Sequence, residues 1–177
     1  AFVFDTGGQT ALTETLCEEL GLSVADSVWV ADANGQKVTL ARVVIPELMI
    51  PDDQIRFTGM LAMKMSGEPF ECFGAEGLLG SDLLKNFIVE IDGKTKTITI
   101  SSSSETVGVS LRKMLPFAEN HFMPIILLQA GVGSGLNVLF DTGFPAFLSL
   151  KNSDFVNLEN VGALEVKSEG VGGGSIG

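Results

Sequence analysis

An apolar triplet followed by Asp-Thr-Gly occurs twice in this chain, as Phe2-Val3-Phe4-Asp5-Thr6-Gly7 and, 136 residues later, as Val138-Leu139-Phe140-Asp141-Thr142-Gly143. The match continues at Leu12 and Leu148, each seven residues past its aspartate. Average residue usage gives a particular tripeptide about once in several thousand positions. Turn chemistry accounts for Asp, Thr and Gly one at a time, but not for two copies that each follow a strand-like triplet within 177 residues. The pattern is an internal repeat, and it confines the fold to two related units.

Around the first copy the periodicity predicts mostly strands. Leu12, Leu16, Leu20 and Leu22 suggest a short amphipathic helix over residues 10–22 that ends at Gly21. Val28, Val30, Val38, Leu40 and residues 43–45 alternate as strands on either side of a hairpin turn at residues 32–36, where Asn34-Gly35 supplies the positive backbone angles the turn requires. Met63 and Met65 recur at strand period and read as core packing. Residues 77–84 read as a buried strand turning into a helix, and residues 87–91 and 97–100 as a hairpin through Asp92-Gly93-Lys94. The serine run 101–104 breaks the pattern, so the units are placed at residues 1–104 and 105–177. In the second unit residues 124–128 and 137–140 are strands, with a glycine-rich turn at 131–135 between them.

The repeat also shows an imbalance. About twenty residues of hairpin precede the second Asp-Thr-Gly, whereas four residues precede Asp5; about ninety-five residues of the first unit follow Asp5, whereas 36 follow Asp141. The expectation is a chain cut at both ends, with a first lobe lacking its N-terminal hairpin and a truncated second lobe that is inactive in isolation.

Composition removes several functional classes. Eleven Lys and Arg against 22 Asp and Glu give a net charge of -11, which repels phosphate backbones and anionic lipid surfaces. No apolar run approaches the ~20 residues of a membrane span. With two cysteines lacking CxxC spacing and one histidine, a zinc site would have to be built almost wholly from carboxylates, so neither metal nor cofactor is expected. His121, within Glu119-Asn120-His121-Phe122, reads as a solvated turn residue rather than part of a Ser-His-Asp set. Cys17 and Cys72 read either as a disulfide pair or as two small buried hydrophobes. Residues 172–177 match GxGxxG, but no helix follows the last glycine, so a nucleotide site is not supported.

At this point the chain resembles the pepsin and retropepsin-like aspartic proteases. The residues that carry the resemblance are Phe4-Asp5-Thr6-Gly7, a hairpin flap around residues 32–36, Leu78-Leu79-Gly80, and Phe140-Asp141-Thr142-Gly143 with a second flap at residues 171–175. The resemblance implies an all-β fold with short helices, built as two pseudo-symmetric lobes that are closed β-barrels. It implies that Asp5 and Asp141 are the catalytic pair and that Thr6, Gly7, Thr142 and Gly143 support the active-site loops. Asn34, Gly35, Gly172 and Gly173 would belong to the flaps. The substrate would be a peptide or protein, in a monomer or a homodimer, and the class together with the acidic charge leans towards export to a periplasmic or extracellular space. Where the family usually carries Ser, Thr or Ala after Asp-Thr-Gly, this chain has Gly8 and Phe144, neither able to donate a hydroxyl hydrogen bond. Phe144 is a substrate-pocket candidate. Phe2, Phe4, Trp29 and Phe140 read mainly as core aromatics.

The residue types suit this chemistry without reference to a family. Two carboxylates held about 3 Å apart cannot both ionise, so one acts as base and the other as acid. A competing reading is a catalytically inactive module that binds extended peptides in the same cleft.

Overall fold

The computed structural model describes residues 1–31, 35–50, 55–102, 115–128, 135–143, 168–169 and 175–176. Thirteen strands and three short helices make up the described elements, in an otherwise all-β arrangement. The principal sheet has six strands in the order β1-β6-β2-β5-β4-β3, formed by β1 (Val3–Asp5), β2 (Ala11–Thr13), β3 (Val24–Ala31), β4 (Lys37–Ile50), β5 (Ile55–Met65) and β6 (Gly77–Gly80). Among the described residues this sheet is open, with β1 and β3 at its edges, and does not close into the barrel the resemblance implied.

The predicted helix over residues 10–22 is shorter than its periodicity suggested. Ala11, Leu12 and Thr13 are buried as β2, parallel to β5 and antiparallel to β6, and only then does α1 (Glu14–Glu19) begin. Between two neighbouring strands all three residues are buried while their backbone stays hydrogen-bonded, whereas an amphipathic helix would bury only one face of the segment. Thr13 caps the helix, its hydroxyl accepting from Leu16 N–H at 3.2 Å.

β3 and β4 form the expected hairpin, whose last pair, Ala31 with Lys37, closes residues 32–36. Gly35 has φ 75°, as a turn glycine should; Asn34 lies outside the described residues. β4 and β5 pair along their length except where Pro46, which cannot donate to the ladder, falls between the pairs Ile45–Met60 and Glu47–Thr58.

Buried side chains from these strands form three clusters. Leu12, Cys17, Val43, Ile45 and Ala62 pack under α1. Ala11, Met63 and Phe70, of which Phe70 lies in α2 (Glu68–Glu71), form a second cluster with Val28, Val30, Met65 and Leu78 against it. Leu83, Leu84 and Ile100 gather Phe4, Leu79, Phe87 and Val89 beneath α3 (Ser81–Leu84) and the hairpin of β7 (Ile88–Asp92) and β8 (Thr97–Ser101). The methionines thus pack as predicted, and so does Phe4. Trp29 does not: it is 76% exposed, because Val28 and Val30 on either side take the core face of β3. Cys17 is buried and Cys72 exposed, and they form no disulfide with each other.

A second sheet, in the order β11-β10-β9, comprises β9 (Phe117–Asn120), β10 (Met123–Leu128) and β11 (Leu136–Leu139). Its β9–β10 turn consists of His121 and Phe122 alone, at φ 50° and 72°. Left-handed backbone costs a non-glycine residue about 1–2 kcal/mol, so something must hold this turn. β12 (Ser168–Glu169) and β13 (Ser175–Ile176) pair antiparallel on either side of residues 170–174. Among the described residues no helix is long and apolar enough to cross a membrane.

Candidate functional site

β1 and β11 deliver their Asp-Thr-Gly triplets to the same place. The contact is reciprocal: Thr6 N–H donates to Thr142 Oγ1 at 3.0 Å, and Thr142 N–H donates to Thr6 Oγ1 at 3.1 Å. Each hydroxyl then donates across to the other copy, Thr6 Oγ1 to the Phe140 carbonyl at 2.7 Å and Thr142 Oγ1 to the Phe4 carbonyl at 3.1 Å. The four threonine bonds are thus reciprocal between the two copies.

Each aspartate is oriented by its own loop. Gly7 N–H donates to Asp5 Oδ1 at 2.7 Å, and Gly143 N–H to Asp141 Oδ1 at 2.8 Å. The two glycines also make room for the opposite carboxylates: a Cβ on Gly7 would lie 2.3 Å from Asp141 Cγ, and one on Gly143 2.7 Å from Asp5 Cγ. Only a residue without a side chain lets the two loops approach this closely.

The electrostatics follow from that approach. Burial pushes the Asp5 carboxyl up to about 6, with a hydrogen bond to Asp141 and the Asp141 charge adding in the same direction; the Gly7 and Gly143 amides pull it partly back. A carboxyl raised in this way keeps its proton into the range where an ordinary aspartate is ionised, and it can donate to its neighbour or to a polarised carbonyl.

The Asp5 loop is held from behind by residues that the sequence reading did not single out. Ser81 Oγ donates to the Thr6 carbonyl, and Ser81 N–H donates to the Gly8 carbonyl at 3.0 Å. Asp82 Oδ1 accepts from both the amide and the hydroxyl of Thr10, each at 2.8 Å, and Thr10 Oγ1 accepts from Gly80 N–H at 3.1 Å. A Cβ on Gly80 would meet the Gln9 and Thr10 backbone at 2.5 Å, so the strand passes directly against the loop. In sequence, Asp82 looks like an acidic residue in the first turn of a helix, favoured there by the helix dipole. Its position two residues after Leu78-Leu79-Gly80 was the available signal.

The structure therefore brings together Asp5, Thr6, Gly7, Asp141, Thr142 and Gly143. Gly35 sits at the closed end of the β3–β4 hairpin. Asn34, Phe144, Gly172 and Gly173 lie outside the described residues, as do the GxGxxG positions 172–174 and 177. At Gly8 a Cβ would lie 2.8 Å from Asp5 Oδ2 and 3.3 Å from Leu78 Cδ2, so glycine here also leaves room for the carboxylate, and any side chain would have to displace it.

No curated protein and no solved structure matches the chain. Residues 1–83 match a family model described as aspartyl protease, a span that includes Asp5-Thr6-Gly7, the β3–β4 hairpin and Leu78-Leu79-Gly80 and stops short of Asp141. That match supports an aspartyl protease family and protease-like function in general.

Proposed function

We propose that the chain is a two-lobed aspartic endopeptidase, residues 1–104 forming one lobe and 105–177 part of the other, with Asp5 and Asp141 as its catalytic pair. The observation that carries the reading is the reciprocal threonine bonding that sets each carboxyl directly against the glycine of the opposite loop. In this reading a water lies between the carboxyls. The ionised member takes a proton from it as it attacks the amide carbonyl, and the protonated member hydrogen-bonds the developing oxyanion. The tetrahedral intermediate then collapses as the leaving nitrogen accepts a proton from the pair. Asp5, with its raised pKa, suits the acid role. Thr6 and Thr142 keep the loops in register, Gly7 and Gly143 keep the backbone clear, and the β3–β4 hairpin is the flap that folds over an extended peptide. The substrate is a peptide or protein, and export is the compartment the acidic charge favours.

The test is Asp5→Asn and Asp141→Asn in the full-length protein, assayed on an apolar peptide. Each should abolish turnover while leaving peptide binding in place. Cleavage unchanged by either substitution would remove the pair from the chemistry, and tight binding without turnover in the wild type would identify a peptide-binding module.

A further inference from the structure

We propose that Phe122 is a positioning residue: seated on Lys85 at the end of α3, it fixes the β9–β10 hairpin, and with it the Asp141 loop, against the helix that holds the Asp5 loop. Its consequence for turnover rests on the dyad reading above; its consequence for the geometry of the carboxyls does not.

The first observation is the turn. His121 and Phe122 both take positive φ, which a bulky aromatic residue rarely adopts. Asn-Gly would make the same two-residue turn without strain. Strain of this kind persists only where the surroundings over-determine it.

The second is what surrounds it. Lys85 Nζ lies 4.0 Å from the centroid of the Phe122 ring, in cation–π contact. Phe122 also walls a cavity of about 510 Å³ shared with Phe57, Met60, Leu83 and Phe87, all residues outside its own sheet. The strained turn thus places an aromatic ring on the other unit.

The third is where the two ends of this contact lead. Lys85 caps α3, whose Ser81 and Asp82 hold the backbone of Thr6, Gly8 and Thr10. Phe122 leads into β10, which pairs with β11, and Phe140 N–H donates to the Pro124 carbonyl at 2.9 Å just before Asp141. Contacts therefore run from the Asp5 loop through α3, Lys85, Phe122, β10 and β11 to the Asp141 loop, and return through the paired threonines. The Lys85–Phe122 contact lies away from the threonine bonds, so it holds the two units at a second point and helps set the approach of the carboxyls.

The test compares Phe122→Ala, Phe122→Tyr and the double variant His121→Asn/Phe122→Gly in the full-length protein, following peptide kinetics and the Asp5 titration by carboxyl ¹³C NMR. That titration is set first by burial of the carboxyl, then by the Asp141 carboxyl, which also raises it, and by the Gly7 and Gly143 amides, which lower it. Phe122→Ala should lower kcat at least tenfold with KM within twofold, and should move the Asp5 titration down as the carboxyls separate. Phe122→Tyr keeps the ring and should restore both. The double variant favours the turn but lacks the ring, so it should fold and show the same losses. Wild-type kcat and wild-type Asp5 titration in the folded double variant would overturn the proposal. If Asp5→Asn leaves cleavage unchanged, the dyad reading fails separately; the NMR shift in the double variant then decides for the positioning role of Phe122, and its absence decides against it.

Discussion

Replacing Gly7 with alanine is the smallest change that tests how closely the two loops must approach. The added methyl carbon would lie 2.3 Å from Asp141 Cγ and 2.5 and 2.7 Å from its carboxylate oxygens. Ordinary contact begins near 3.4 Å, so the Asp141 carboxyl or the Gly7 backbone must retreat by about 1.1 Å. Neither moves alone. Asp141 Oδ1 is tied to Gly143 N–H, and the Thr6 and Thr142 bonds hold both loops. A displacement of about 1 Å at a catalytic group costs on the order of 10²-fold in rate, and forcing a methyl into a close-packed site costs roughly 1–3 kcal/mol of stability. Gly7→Ala should therefore fold, with a lowered denaturation midpoint, and lose about 10²-fold in kcat on an apolar peptide. Gly93→Ala, where an added Cβ meets nothing within 4 Å, is the matched control and should change neither. A Gly7→Ala protein with wild-type kcat would show that the carboxyls need not meet for turnover, and the geometric argument would fail.

Other consequences follow from the same contacts. Because Asp5 keeps its proton until about pH 6, the alkaline limb of the pH–kcat/KM profile should fall near pH 6, as a stopped peptide assay across pH 3–8 would read. The same raised pKa has a signed effect on folding. The Asp5 contribution to stability is full below its unfolded value of 3.8 and is lost as pH rises through about 6, so urea midpoints compared for wild type and Asp5→Asn should diverge over that window. Gly8→Ala and Gly8→Ser both press a Cβ to 2.8 Å from Asp5 Oδ2, so both should displace that carboxylate and lower kcat; only the serine adds a hydroxyl donor, so its alkaline limb should lie at lower pH than that of the alanine variant, and equal profiles for the two would refute a hydroxyl effect. Asp82→Ala removes the acceptor for both Thr10 donors and should destabilise the chain by roughly 2 kcal/mol, measurable by chemical denaturation.

Legibility in the sequence tracked how local the determining physics was. The two Asp-Thr-Gly copies could be recognised because their chemistry is written in three consecutive residues, and the structure brings them into contact across 136 positions. The strand-to-helix passage at residues 77–84 and the hairpin on Asp92 were equally local: Asp92 Oδ1 accepts from Lys94 N–H at 2.8 Å, a turn formed by its own neighbours. Residues 11–13 were misread because Leu12 satisfies the helical spacing of Leu16 and Leu20, while the burial of β2 between β5 and β6 is a tertiary fact that periodicity does not carry. Trp29 was misread for the opposite reason, since aromatic character says nothing about which face of a strand it occupies. Ser81 and Asp82 were passed over because their partners, Thr6, Gly8 and Thr10, lie more than seventy residues away. The closed barrel was carried by family resemblance alone, and the open six-stranded sheet has no counterpart in the sequence pattern.

The most direct test is a carboxyl ¹³C NMR titration of Asp5 in the wild type and in Asp141→Asn. A shared proton requires Asp5 to titrate near 6 in the wild type and to fall towards, without reaching, 3.8 once the Asp141 charge is gone, because burial remains. An Asp5 that titrates as an ordinary surface carboxylate and ignores the substitution would contradict the account at its root.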